Sequence, residues 1–289
     1  MKNFITYNFI NCSSKFLSLL PRRTSIKLAK FVGLLIYNIF PIRKTVAKQN
    51  LKIAFPDKSK KEINKVIKKT YQHYTILIFE FMRQKFINIS SIKVNIDKKT
   101  KDILLSKEGL ILMTAHFGNW ELIIPILGAH KNATIIIKEQ RNLGGDRFVC
   151  EARTSNNISL VKTKESKRKM IEALKKGDVL GLASDQNAGN RGTKINFFGK
   201  DASLPKGAAY FNYKTKAPIV IGFCILNEDY SYDFKLRYIN TKHLNDNIED
   251  LFKEIGMRFS SILEKQIKQK QEQYFWFHRK WDRSIYKNK

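Results

Sequence analysis

The stretch Gly109-Leu-Ile-Leu-Met-Thr-Ala-His116, running on through Phe117-Gly118-Asn119-Trp120-Glu121, decides how this chain is read. Its apolar run is too short for a globular helix and ends at a turn, the pattern of a strand buried on both faces. Phe117-Gly118-Asn119 is the turn, Gly118 lets the backbone approach a ligand, and Asn119 can cap the helix expected from Trp120 onward. An ionisable side chain at the C-terminal end of a buried strand stands where α/β proteins assemble their sites.

Working outward, the same alternation continues. Short apolar runs at 133–138, 158–161, 179–184, 218–225 and 233–240 read as strands. Helical segments are expected near 120–127, 166–176, 206–213 and, with Leu251, Phe252, Ile255, Phe259, Ile262 and Leu263 facing inward, over 247–269. Strand and helix alternating in this way predict an α/β sandwich with a central mixed sheet flanked by helices, over residues 89–289. Residues 1–88 differ. Val66, Thr70, His73, Tyr74, Leu77, Ile78 and Phe81 recur at helical spacing, behind the break Phe55-Pro56-Asp57, so this part is expected to be a helical N-terminal region.

No apolar run reaches the ~18–20 residues of a spanning helix. The greasiest segment, about 28–40, lies between Arg22, Arg23 and Lys27 on one side and Arg43, Lys44 and Lys48 on the other. That arrangement fits a helix lying in a membrane interface, and an ordinary buried helix fits it too. The segment lies too deep for a signal peptide and lacks a cleavage site. Lys and Arg number 54 against 25 Asp and Glu, a formal charge of +29, so anionic partners are expected. Nucleic acid, an acidic membrane and an acidic carrier protein all satisfy that demand; dispersed lysines without zinc-finger, RNP or helix-turn-helix patterns argue against nucleic acid. Cys12, Cys150 and Cys224 share no metal or disulfide spacing, and each is expected to be a buried structural residue. No metal site or Gly-rich cofactor loop is evident either, and Gly144-Gly145 reads as a turn.

His116 and Glu121 lie five residues apart across the strand-to-helix turn. That spacing can bring the carboxylate to one ring nitrogen and leave the other as a base for an acceptor hydroxyl, with turn N–H groups or an Arg as oxyanion donors. Alone, the pair fits purely structural duties as well. Its company is what counts. His116-Phe-Gly-Asn-Trp-Glu121 resembles the His-x-x-x-x-acid signature of glycerolipid and lipid A acyltransferases, specifically the bacterial late (lauroyl/myristoyl) lipid A acyltransferase family. In chain order follow Arg141-Asn142 with Asp146 and Arg153, Asp185-Gln186 at a strand end, Phe197-Phe198-Gly199 with Ala202, and Glu272-Gln-Tyr-Phe-Trp276-Phe-His278-Arg279. Asn50-Leu-Lys-Ile-Ala-Phe-Pro56 also has its counterpart, so the likeness covers nearly the whole chain.

The resemblance implies transfer of a fatty acyl chain from acyl carrier protein to a hydroxyl of a lipid A precursor, at the cytoplasmic face of the inner membrane. Transfer to another membrane lipid is the alternative. By resemblance His116 is the general base and Glu121 its partner, while Arg153, Asp185 and Gln186 belong to the site; Asn119 joins them as a substrate-binding candidate. Expected partners are acyl carrier protein, anionic membrane lipids and the lipid A precursor, with no cofactor beyond the acyl carrier co-substrate. His73 is expected in the core, His130 and His243 in polar loops, and His278 in packing beneath the site.

Overall fold

The structure, a computed structural model, describes residues 1–154, 157–162, 167–241 and 247–286. Four helices come first: α1 (Lys2–Leu19), α2 (Arg22–Ile39), α3 (Lys44–Ala54) and α4 (Lys60–Met82). α4 starts where Ser59 and Glu62 form a capping box, the Ser59 hydroxyl accepting from the Glu62 amide while the Glu62 carboxylate accepts from the Ser59 amide. α2 packs closely on it because Gly33 has no side chain; a Cβ there would lie 2.7 Å from the Gln72 Cα. α4 is buried on more than the expected stripe. Ile63, Ile67, Tyr71, Ile76 and Glu80 are buried too, whereas Ile78, expected inside, is 54% exposed.

The remaining elements are β1 (Lys93–Ile96), α5 (Lys98–Leu105), β2 (Leu110–Thr114), α6 (Ile123–Gly128), β3 (Ala133–Ile137), α7 (Leu143–Arg153), β4 (Ile158–Lys162), α8 (Lys167–Lys175), β5 (Val179–Ala183), β6 (Thr193–Phe197), β7 (Lys200–Leu204), α9 (Gly207–Thr215), β8 (Ile219–Leu226), β9 (Tyr232–Ile239) and α10 (Ile248–Gln269). Seven strands form one sheet in the order β1-β9-β8-β2-β5-β3-β4. Strands β8, β2, β5, β3 and β4 run parallel; β9 returns antiparallel to β8, and β1 pairs parallel to β9. The expected α/β sandwich with a mixed sheet is thus the architecture. Along β2, Ile111 and Met113 join the core shared with α4, α9 and α10, while Leu110 and Leu112 join the core beneath α6 on the opposite face. Burial on both faces is why β2 and β8 read as unbroken apolar runs.

Several elements escaped the sequence reading. β1 and α5 are polar and marginal, and the β6–β7 hairpin forms a separate two-stranded sheet turning at Phe198-Gly199. α7 contains the Gly144-Gly145 pair that reads as a turn. Helix α1 crosses so close that a Cβ on Gly144 would meet the Asn3 carbonyl oxygen at 2.0 Å, so that glycine serves helix packing. Ser166, within an expected helix, and His243 lie outside the described residues. No single helix among the described residues is long and apolar enough to cross a membrane; α2 and α3, bent by 97° at their junction, pass that test only as a pair.

Candidate active site

Strand register builds the centre of the site. Thr114 of β2 lies opposite Ala183 of the adjacent parallel strand β5, and His116 and Asp185 each follow two residues later. Parallel neighbours run about 4.8 Å apart, so the two side chains leave the sheet side by side. Asp185 Oδ1 lies 2.8 Å from His116 Nδ1. An ionised carboxylate can only accept, so Nδ1 carries the proton and Nε2 keeps its lone pair. The Gln186 amide nitrogen stands 3.5 Å from that Nε2.

The surroundings raise the basicity of the imidazole. Burial alone lowers the basicity of His116, but the charge and hydrogen bond of Asp185, and then the charge of Glu121, outweigh it and hold its pKa above the ordinary 6.5. Burial likewise works to raise Asp185, yet His116 and then Lys280 keep its carboxyl below the ordinary 3.8. The result is an imidazole aligned by a buried anion, the arrangement that stabilises an imidazolium.

Glu121 is not where the five-residue spacing suggests. Its carboxylate, on a residue 6% exposed, takes a two-point grip from Arg153, Nε to Oε2 at 2.8 Å and a terminal nitrogen to Oε1 at 2.6 Å. Oε1 also accepts from the Trp120 indole at 2.8 Å. The physical reason is the register: Asp185 already occupies the Nδ1 side of the ring, while the last turn of α7 delivers Arg153 to Glu121. Glu121 therefore acts on His116 through its charge, without a hydrogen bond to it.

Asn119 precedes the short 3-10 helix Trp120–Leu122 but makes no side-chain cap there. Buried to 1% exposure, it donates instead to the Tyr232 hydroxyl at 3.0 Å. That hydroxyl lies 3.4 Å from the Glu80 carboxylate, itself paired with Arg22 at 3.1 Å, so Asn119 closes a buried polar chain leading back to α2. Gly118 adopts φ +64°, and a Cβ there would strike the Cys224 carbonyl oxygen at 2.1 Å. The close approach that Gly118 allows is thus to strand β8. The turn's N–H groups are also committed: Phe117 to the Ala115 carbonyl, Gly118 to that of Gln273 and Asn119 to that of Cys224. They are not available as the oxyanion donors the sequence suggested.

Other contributors were not singled out from sequence. Trp120 and Phe275 flank the imidazole, with ring centroids 5.0 and 6.0 Å away. The Tyr74 hydroxyl donates to the His116 carbonyl at 2.9 Å, and the Phe275 amide donates to the same oxygen, also at 2.9 Å. The Lys280 ammonium donates to the Asp185 carbonyl at 2.6 Å. The motif at 272–279 was the signal for Phe275, and Lys280 lies one residue beyond it. His278 Nε2 accepts from the Asn187 amide at 3.0 Å, pinning the loop after Asp185-Gln186, and burial pushes its pKa down to about 4. His73, deep in α4, donates to the Gly118 carbonyl at 3.3 Å and is also pushed to about 4 by burial. Of the cysteines only Cys224 is buried; Cys12 is exposed and Cys150 half-buried, so the expectation for those two is corrected. Among the described residues no three His, Cys, Asp or Glu side chains converge as a metal site requires.

Beside the Arg153–Glu121 pair opens a cavity of about 570 Å³ between α1, α4 and α7, walled by Leu19, Phe81, Met82, Phe86 and Phe148. Its volume falls in the range of small-ligand pockets. Phe81 joins the two regions, since the Arg153 guanidinium sits 5.7 Å from its ring centroid.

A His–Asp pair beside an Arg–Glu pair and an apolar cavity, at the strand ends of an α/β sheet, is the kind of site an α/β enzyme carries. The sequence comparisons agree. The family described as bacterial lipid A biosynthesis acyltransferase matches residues 2–283. The chain belongs to that family and is an acyltransferase of lipid A biosynthesis. Among similar proteins are the lipid A biosynthesis palmitoleoyltransferase of Escherichia coli K12, 23% identical over 82% of this chain and 78% of that one, and the lipid A biosynthesis acyltransferase of Haemophilus influenzae, 26% identical over 82% and 77%. The lauroyltransferase of Escherichia coli K12 is 22% identical over 90% and 86%. The crystal structure of the 1-acyl-sn-glycerophosphate acyltransferase from Thermotoga maritima aligns over 86% of this chain and 98% of that one, with a TM-score of 0.39 and 13% identity. That likeness is too distant to carry an argument.

Proposed function

We propose that this acyltransferase moves a fatty acyl chain from acyl carrier protein to a hydroxyl of a lipid A precursor, with His116 as the general base. The observation that carries the reading is the 2.8 Å contact of His116 Nδ1 with Asp185, which leaves Nε2, 3.5 Å from the Gln186 amide nitrogen, as the basic nitrogen. Nε2 takes the proton of the acceptor hydroxyl as its oxygen attacks the thioester carbonyl. When the tetrahedral intermediate collapses, the C–S bond breaks and the thiolate recovers that proton from Nε2. The ester forms without an enzyme-bound intermediate. Asp185 stabilises the imidazolium between the two transfers, and Gln186, next to Nε2, is placed to meet the acceptor. Glu121 serves by aiming Arg153, whose other terminal nitrogen is left to donate to a phosphate or the developing oxyanion.

The apolar cavity beside Phe81 suits an acyl tail. The exterior suits attachment at the cytoplasmic face of the inner membrane. Phe31, Leu35 and Ile39 of α2 and Phe4, Phe9 and Phe16 of α1 are exposed, and Arg23 and Lys27 lie beside them on the surface. An amphipathic surface of this kind binds anionic lipid through apolar burial plus charge, and an excess charge of +29 also favours an acidic carrier protein.

Two experiments test the reading. His116→Ala should abolish transfer from acyl carrier protein while the circular dichroism spectrum and melting stay those of the parent; full activity would sink the base role. Mass spectrometry of lipids from cells with and without the protein should show lipid A short of one chain when it is absent. Unchanged lipid A with an altered phospholipid would point to a different acceptor.

A further inference from the structure

One buried cation has no part in the chemistry above. Lys280 is 1% exposed, its ammonium donates to the Asp185 main-chain carbonyl at 2.6 Å, and it sits 4.8 Å from the centroid of the Phe197 ring. Trp281 beside it is fully buried. Taking an ammonium out of water among aromatic rings is costly, and an apolar side chain of like length commonly fills such a space with equal or better stability. Packing therefore does not explain a lysine here. What it touches does: its one hydrogen bond among those described runs to the residue whose carboxylate holds His116.

We infer that Lys280 is a positioning residue for the His116–Asp185 pair, fixing the Asp185 main chain so that its carboxylate stays aimed at Nδ1 and placing a positive charge beside the pair.

The charges around the pair fit this role. Glu121, on the 3-10 helix, is ion-paired with Arg153 of α7 at 2.6 Å, and the two act on His116 in opposite directions. His278 is the other titratable neighbour on the C-terminal segment, and burial, at about 4, leaves it neutral. Tyr274 on the same segment and Tyr74 from α4 stand near Asp185, and both are held well above 10 by burial first and then by the Asp185 charge, so they too are neutral. Among the described residues Lys280 is therefore the cation that answers Asp185 until His116 is protonated. Burial draws its own pKa down to about 8, so it is charged at neutral pH.

The inference rests on the base role of His116, and the experiment separates the two. Lys280→Met is measured beside Lys280→Arg in steady-state transfer across a pH series. With Met, kcat should fall about 10- to 100-fold, as for a reacting group displaced by a fraction of an ångström to an ångström, with KM little changed. The acid limb of kcat/KM should move to higher pH, because removing a nearby positive charge makes the pair hold its proton more tightly. Lys280→Arg, which retains the charge, should keep the limb in place and recover part of kcat. A packing defect alone lowers kcat without moving the limb, so an unmoved limb in Lys280→Met overturns the inference, as does kcat within threefold of the parent. Should Lys280→Met not fold, Lys280→Gln takes its place, and an NMR titration of the His116 ring reads the same shift without turnover. Activity persisting in His116→Ala would fault the base role itself; loss there with an unmoved limb here faults only Lys280.

Discussion

Replacing Asp185 by Asn removes the charge opposite His116 Nδ1 and almost no volume. In the parent, Nδ1 donates to Oδ1 at 2.8 Å. An Asn amide can turn its NH2 toward Nδ1, which moves the ring proton to Nε2 and blocks the base. Loss of the orienting anion in a comparable histidine centre costs about 10³- to 10⁴-fold in kcat, or roughly 4–5.5 kcal/mol of transition-state stabilisation at 1.36 kcal/mol per tenfold. The acid limb should move as well. The pKa of His116 stands above 6.5 because Asp185, with help from Glu121, outweighs burial. Without the Asp185 charge burial dominates, and the limb of kcat/KM falls to lower pH. Glu121→Gln is the partner experiment, since it leaves the His–Asp contact in place and loosens Arg153. It should move the limb less and cost stability of no more than about 3 kcal/mol, the low end for breaking a buried pair, because Gln retains one acceptor. The assay is transfer from acyl carrier protein to a lipid A precursor over a pH series, with melting followed in parallel. If Asp185→Asn stays within tenfold of the parent while Glu121→Gln collapses and carries the limb shift, Glu121 orients the base and the argument from strand register is wrong.

Other outcomes are expected from the same structure. His73 has a folded pKa of about 4 against an ordinary 6.5, so the unfolded chain binds the extra proton first and stability is lost as pH falls from 6.5 through 4. That amounts to roughly 3 kcal/mol; urea midpoints at neutral and acid pH should show a smaller drop in His73→Asn, and an equal drop refutes the assignment. Gly118→Ala places a Cβ 2.1 Å from the Cys224 carbonyl oxygen at φ +64°, and should lower stability by at least about 1–3 kcal/mol from backbone strain alone. A melting point within a degree of the parent would contradict it. Changing Phe31, Leu35 and Ile39, exposed at 57%, 39% and 58%, together to Ser should weaken co-sedimentation with anionic vesicles without lowering the melting point. Unaltered vesicle binding would remove α2 from the membrane contact.

Much of the architecture was legible because β2, β3, β5 and β8 are buried on both faces and carry continuous apolar runs. β1 and the β6–β7 hairpin carry polar residues at alternate positions or nearly throughout, and lack that signature. α7 was hidden by Gly144, a glycine chosen for contact with a helix more than a hundred residues away in sequence, which no local pattern announces. In the site, the positions of His116 and Asp185 at strand ends were readable; their partnership was not. It depends on β5 lying next to β2 with Thr114 opposite Ala183, a tertiary fact. Sequence proximity favoured Glu121, and Arg153, 32 residues on, took it. Asn119 misled for a related reason, since its amide answers a tyrosine on β9 rather than the helix that follows it.

The segment around 274–281 supplies the Phe275 amide to the His116 carbonyl and the Lys280 ammonium to Asp185, and Asn50 of α3 holds it through the carbonyls of Trp276 and His278. During synthesis every strand of the sheet has been made before this segment leaves the ribosome, and domains begin to fold from the N-terminal side. Assembly order thus acts as a safety catch. A nascent chain can form its sheet and settle its outer helices, yet the His116–Asp185 pair lacks these two supports until residues 274–281 have been made, so a fragment ending at residue 273 should keep strand-rich circular dichroism and show no transfer.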